Sequence, residues 1–340
     1  MRLWPGMLLA VAWGMGWTAW GCDSRKAEGP EARARATTPG AGPGSASGPA
    51  SGAGASAASG AGAAPGGAAA NPAMPECRPV PFEKTIDVPE ASGAVWVEAS
   101  FGLPAHVLVV GDSGTHGAFA IIDADSGAGL AKGRLPLDGR SSDDIEGLSR
   151  SGDVYYALTS GGYMRHFKRT AAAKFELTAP SYPLGGVTCS SPHKTNCGHD
   201  FEGLCLADPA PPGGCAGFAA AKHDAELICL ARGDSGRLRP DASQVIHVAI
   251  PRALSDCAMS PPGDEQTLYA ATNMFGGNAL YQVGGWRDPA HAQVEHLAGA
   301  GIGFIEAVAV APGGIVYRFS DTATQTSGMG KYSCPPPGPE

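Results

Sequence analysis

The chain has 340 residues, nine cysteines and a formal charge of −8. That acidic balance makes nucleic acid and anionic membrane surfaces poor partners. The 43% hydrophobic content does not describe a uniform chain, because Gly and Ala are concentrated in one early stretch.

Residues 1–22 have the layout of a lipoprotein-type signal peptide. Arg2 supplies the positive charge, an apolar run follows from Leu3 to Trp20, and a small residue precedes a cysteine. Ala19-Trp20-Gly21-Cys22 resembles the bacterial lipobox, in which cleavage before the cysteine leaves it lipidated, although Trp20 is bulky for its place. The alternative is an uncleaved anchor, whose apolar length is marginal for spanning a bilayer. Residues 23–75 read as a disordered linker. Pro39 to Ala70 contains only Gly, Ala, Ser and Pro, too little apolar area to offset the entropy of ordering. The expected location is the bacterial cell envelope, facing the periplasm or the exterior. A lipid on Cys22 would be the only membrane contact.

Residues 76–340 remain as the folded domain. The first 75 residues carry five basic and three acidic side chains, so the −8 of the whole chain becomes −10 over this domain. Cations therefore suit it better than anions. Setting Cys22 aside, eight cysteines are left, and an even number in an exported chain favours disulfides. Cys77 and Cys334 lie at the two ends and would close the largest loop. Cys189 and Cys197 flank a short polar loop. Among the other four, Cys205–Cys215 is the expected short bridge, and the partners of Cys229 and Cys257 stay open.

The domain repeats. "DDIEGLSRSG" and "HDFEGLCLAD" place Glu146 and Glu202 56 positions apart. At similar intervals stand Glu98 in "VWVEASFG", Asp256 in "ALSDCAMS" and Glu306 in "GFIEAVAVAP". Each carboxylate is followed by a turn and a second apolar run, such as "HVLVVGDSG", "DVYYALTSGG" or "GIVYRFSDTA". Most units add a third run, such as "GAFAIIDADSG" or "AELICLARGDSG". Short apolar strands punctuated by Gly, Asp and Ser, with a period near fifty, predict an all-β fold, a five-bladed β-propeller with six blades as the alternative. A circular fold must join its ends. The strand "FEKTIDVP" would complete the last blade, and Cys77–Cys334 would lock that seam.

These strand starts, the "VVGDSG" and "RFSD" strand ends, and the five-unit length resemble the SdiA-regulated family of exported propellers. They are also similar to the propeller family named for an esterase-like activity of phytase. The resemblance spans roughly Ala91 to Tyr332. It implies calcium in the central channel. Asp256 stands where the families have Glu, and Ala99 and Ala307 replace the motif glycine.

The first strand of each propeller blade lines the channel, so Glu98, Glu146, Glu202, Asp256 and Glu306 are expected to converge at one mouth. Two carboxylates about 6 Å apart repel by roughly 3 kcal/mol at an effective dielectric near 20. Shared protons, backbone N–H donors or a bound cation would relieve that repulsion, and Ca2+ accepts loose all-oxygen coordination. Asp112, Asn273 and Asp321, at the ends of second strands, and Asp144 and Asp200, two residues before a glutamate, are candidate helpers. "GDSG" occurs twice, at Gly111–Gly114 and Gly233–Gly236, and reads as turn chemistry rather than as a nucleophile loop. His193 and His199 read as members of a solvated loop rather than zinc ligands. Two functions follow. One is a lipid-tethered binding or scaffold module for an envelope protein or small ligand. The other is a metal-dependent hydrolase (phosphoesterase, lactonase or esterase), for which His116 or His223 would serve as base. Arg140, Arg165, Lys222 and Arg318 are the few cations that would reach the channel.

Overall fold

A computed structural model describes residues 74–185, 188–248, 253–263, 266–273, 279–300, 304–320 and 326–336. The expected signal peptide with its Cys22 lipid site, the linker to residue 73 and Asp321 lie outside these residues. No helix among the described residues is long and apolar enough to cross a membrane.

Two short strands come first among the described residues, β1 (Arg78–Val80) and β2 (Thr85–Ile86). Five antiparallel sheets account for the rest. Blade 1 comprises β3 (Ala91–Val97), β4 (His106–Gly111), β5 (Ala118–Asp123) and β6 (Gly129–Arg134). Blade 2 comprises β7 (Ile145–Ser151), β8 (Val154–Thr159), β9 (Tyr163–Ala171) and β10 (Lys174–Pro183). Blade 3 comprises β11 (Phe201–Leu206), β12 (Gly217–Ala221), β13 (Glu226–Arg232) and β14 (Leu238–His247). Blade 4 comprises β15 (Leu254–Met259), β16 (Leu268–Thr272), β17 (Ala279–Gly284) and β18 (Gln293–Leu297). Blade 5 comprises β19 (Ile305–Ala311), β20 (Ile315–Ser320) and β21 (Ser327–Ser333), completed by β1 on the outer side of β21. This is a five-bladed β-propeller. The closing strand begins earlier than "FEKTIDVP". Arg78 to Val80 pair with Ser333 to Lys331, while that segment adds only the two residues of β2 beside Ser327 and Gly328.

Each seam between blades is its own apolar core. Val110, Phe119, Ile145 and Phe167 fill the seam of blades 1 and 2. Leu158, Phe201 and Ile228 fill the next, Phe218, Leu254 and Trp286 the third, and Tyr269, Val308 and Val316 the fourth. Val107, Ile122, Tyr317 and Phe319 close the ring between blades 5 and 1. The alternation of strand residues sends one face of each blade into each seam.

Four disulfides join these parts. Cys77–Cys334 fastens the two ends of the domain and Cys189–Cys197 staples the loop before β11, both as expected. The expected Cys205–Cys215 bridge is not made. Cys205 pairs with Cys257 and Cys215 with Cys229. Cys205 and Cys257 sit on the innermost strands of adjacent blades, face one seam, and have Cα atoms 5.5 Å apart. Distance in the ring, not in the sequence, selects the partner.

Candidate functional site

The inner strands share one irregularity. In each, a bulge lies near the start of its pairing with the second strand, between Ala91 and Gly93, Ile145 and Gly147, Phe201 and Gly203, Leu254 and Asp256, and Ile305 and Ala307. The bulged residues are Ser92, Glu146, Glu202, Ser255 and Glu306. A bulge re-aims one side chain out of the pleat, and Ser92, Glu146, Glu202 and Glu306 all line a cavity of about 180 Å3 at this mouth of the channel.

The glycine that follows has a packing cause. A Cβ on Gly147 would lie 2.5 Å from the Leu204 nitrogen, and one on Gly203 would lie 2.6 Å from Asp256 Oδ1. Neighbouring inner strands approach so closely at the channel that a side chain is excluded at both positions. The "E-G-L" signature thus combines a residue aimed at the channel with a residue pressed against the next blade.

This register corrects two of the five expected channel carboxylates. Glu98 does not join the others. It follows the far end of β3, roughly 20 Å along the strand from Ser92, and makes a two-pronged ion pair with Arg150, both contacts 2.6 Å. That pairing holds its carboxyl below the usual range. Asp256 is level with Gly147 and Gly203 rather than with the glutamates. It is buried, its Oδ1 accepts the Cys257 N–H and its Oδ2 the Val308 N–H, each at 2.7 Å. It latches blade 4 to blade 5, and burial pushes its pKa well up against those two donors. Aligning the repeats on the small residue before the apolar one, rather than on the charge, would have found Ser92, whereas Ser255 is followed by Asp256 and escapes that pattern.

Two further tiers surround the bulge. Equivalent backbone bonds in blades 1 to 4 tie the end of the second strand to the residue two before the bulge: Asp112 N–H to Glu90 O at 2.8 Å, Ser160 to Asp144 at 3.2 Å, Lys222 to Asp200 at 3.0 Å and Asn273 to Ala253 at 3.2 Å. The same turn is therefore decorated differently in each blade. Blades 1 and 2 bring Asp112, Asp144 and Glu146 together, with one carboxylate oxygen of each within 4.8 Å of the others. Asp144 and Glu146 are buried. Ser160 donates its hydroxyl to Asp144. Blade 3 adds a cation, Lys222, whose Nζ donates to Glu202 Oε1 at 2.9 Å. Asn273 donates its amide to Glu306. Asp200 Oδ2 lies 3.2 Å from His223 Nε2.

Crowding and burial act together on these acids. Burial above all, then the charges of Asp112, Glu202 and Asp144, drives the Glu146 pKa well up. Asp112 is pushed up to about 7 by burial, with the Ser113 N–H opposing and Asp144 adding to the rise. Glu202 is pushed up to about 8 by burial, against the lowering by Lys222. At neutral pH the mouth therefore holds protons that a bound cation would displace.

Other candidates fall elsewhere. His116 is exposed and contacts Asp143 at 2.9 Å. His199 contacts Asp224 at 3.6 Å, and no zinc-type cluster with His193 forms among the described residues. Arg165 and Arg318 are buried within the blades and do not line the mouth. Asn196, absent from the sequence expectations, lines it from the disulfide-stapled loop, its N–H 3.1 Å from Ser160 Oγ. Irregular loops carry no periodicity by which to find such a residue.

No family model matches the chain, and no curated protein matches it. Among solved structures, the chain is similar to a glutaminyl cyclase of Myxococcus xanthus, at 14% identity and a TM-score of 0.46, covering 77% of this chain and 100% of that one. It is similar to the PQQ-bound aldose sugar dehydrogenase of Streptomyces coelicolor, at 13% identity and a TM-score of 0.46, covering 78% and 100%. It is also similar to the β-propeller domain of Cps50 (Swd1) from Myceliophteria thermophila, at 12% identity and a TM-score of 0.40, covering 73% and 98%. The propeller rests on the strand order above, and no activity passes from these proteins to this chain.

Proposed function

We propose that this protein is an exported, lipid-tethered propeller of the SdiA-regulated or esterase-like-phytase type, acting as a binding module with a hard divalent cation of the calcium class at its channel mouth. One observation carries the reading: Asp112, Asp144 and Glu146 gather three carboxylates within 4.8 Å. Among the described residues, Lys222 at this mouth is committed to Glu202 instead. The donors are all oxygens, which suits Ca2+ or Mg2+ better than a thiolate-seeking metal. All eight cysteines of the domain are tied in disulfides. Asp112, Asp144 and Glu146 would hold the ion, with Glu202 and Glu306 at its rim. An envelope protein or small ligand would be met at this mouth.

Calorimetric titration of chelator-treated protein with calcium tests the metal. Binding is expected in the native chain and at least tenfold weaker binding in Asp112→Asn with Glu146→Gln. Absence of both heat and a melting shift in the native chain sinks the reading. Membrane fractionation of Cys22→Ser tests the tether, with release into the soluble fraction expected.

A second reading, a metal-dependent hydrolase, is favoured by the pKa values near 7 and 8 at Asp112 and Glu202 in an open mouth. Groups titrating near neutrality are suited to moving protons. A bound divalent cation would supply Lewis acidity toward an ester or phosphoester oxygen. Lys222 would orient an anionic substrate and Glu202 would hold the proton. A phosphoester, lactone and ester screen comparing the native chain with Glu202→Gln decides it. Equal turnover in both would place any activity outside the mouth.

A further inference from the structure

The inner strands end at a second mouth of the channel, roughly 20 Å along β3 from Ser92. Their ends enclose a cavity of about 60 Å3, open to solvent and lined by residues of all five blades. Its wall is largely apolar, with Trp96, Leu206, Met259, Pro261 and Pro262. Trp96, Met259 and Pro261 are only half-buried and Pro262 is exposed, so this wall keeps a face toward water.

The rim is charged. Arg150 grips Glu98 through both Nη1 and Nη2, and its Nε donates to the Gly152 carbonyl at 2.7 Å. The Gly152 N–H in turn donates to Asp208 Oδ2 at 2.8 Å. One arginine and one turn thus fix two carboxylates, from blade 1 and from the segment after β11, and Glu98, Arg150 and Asp208 all line the cavity. Asp208 Oδ1 is bonded to none of the described residues. Two carboxylates against one guanidinium leave this rim with an excess of negative charge. An anion would meet an arginine already paired and two like charges. A cation would meet Asp208 with an acceptor oxygen unused, and an indole on the wall also favours cations. The apolar wall calls for a carbon chain on the same ligand. A volume of 60 Å3 holds about two water-sized groups, so that chain is short.

We propose that this second mouth binds a short primary alkylammonium. Its ammonium head donates to Asp208 Oδ1 and Glu98, and the end of its chain, about four carbons in all, enters the cavity beside Trp96 and Met259. The site shares no residue with the acidic mouth and does not depend on a cation there.

Crystals of the native chain soaked in n-butylammonium chloride should show the amine between Trp96 and Asp208. In solution, ligand-observed NMR on the full chain should give binding at roughly millimolar concentration. n-Butanol and butyrate, which keep the chain and change the head, should bind at least about tenfold more weakly. Asp208→Asn keeps the shape and should weaken the amine about tenfold while leaving n-butanol unchanged. Should that variant fail to fold, Glu98→Gln removes the other carboxylate and should weaken the amine likewise. Absence of binding, amine density at the acidic mouth alone, butanol or butyrate binding as tightly as the amine, or an affinity unchanged by the substitutions overturns the proposal.

Discussion

Asp256 and Glu146 show how position within a bulge decides what a carboxylate does. Both are buried acids near the start of an inner strand, but one side chain turns to the next blade's backbone and the other to the channel. Asp256→Ala should leave the Cys257 and Val308 N–H groups unsatisfied and cost about 3 kcal/mol in urea unfolding, with calcium binding retained. Glu146→Gln should do the reverse. The mouth acids also set a pH dependence. The Asp112 pKa rises from 3.8 to about 7, so folding tightens its hold on the proton. That contribution to stability is complete below the unfolded value near 4 and is lost as pH rises through 7, and Glu202 extends the loss toward 8. The melting temperature of chelator-treated protein should therefore fall between pH 5 and pH 8, and calcium should restore it most at the alkaline end. A flat profile would show that these acids are not proton-loaded. Glu146, Glu202 and Glu306 were legible because each precedes a small and then an apolar residue. Ser92 and Ser255 were not, because serine carries no charge to align on, and a bulge breaks the period of two from which strand faces are read.

At the scale of strands, the second and third strands of most blades could be read directly, since runs such as "HVLVVG" and "AFAIID" are apolar and buried. The fourth strands could not. β6 and, apart from the buried Leu238 and Ile246, β14 vary irregularly between exposed and half-buried positions, as outer edges of a blade do, so their sequences resemble loops. The inner strands pack through their glycines, and Gly203→Ala should cost roughly 3 kcal/mol because the added Cβ meets the Asp256 backbone at 2.7 Å. An equal loss from Gly129→Ala would contradict this, since a Cβ there meets nothing within 4 Å and the backbone is not left-handed. The disulfides make a graded prediction. Cys205–Cys257 closes a separation of 52 residues across two blades, and Cys215–Cys229 closes 14 within one. Replacing the first pair by serine should cost about 4 kcal/mol and the second about 3 kcal/mol in the chain-entropy account, measurable by denaturant midpoints.

For the whole molecule, the repeat length favoured five blades over six, because five units near fifty residues fill the domain. What the repeat did not give was its phase. Counting from Glu98 shifted the first blade by six residues relative to Ser92, and a shift of that size carries a residue from one mouth of the channel to the other. The end pairing survived this error, since Cys77 and Cys334 are fixed by the requirement that a ring closes, not by the position of any blade. Breaking Cys77–Cys334 by Cys77→Ser with Cys334→Ser should cost roughly 5 kcal/mol and should expose the amides of blade 5 to hydrogen exchange before those of blade 3. Uniform exposure around the ring would mean that the seam is not its weakest point.

The outer strand of blade 5 also sets how the molecule carries mechanical load. A pull applied through the residues before Glu76 reaches β1, whose pairing with β21 covers only Arg78 to Val80. Three residue pairs would peel readily. Cys77 stands ahead of that strand and passes the tension covalently to Cys334, so the force bypasses the hydrogen bonds and arrives at the C-terminal end of the same blade. In single-molecule stretching, the oxidised domain should hold its full contour until a whole blade yields. Under reducing conditions, a first low-force event should release β1 and β2 alone.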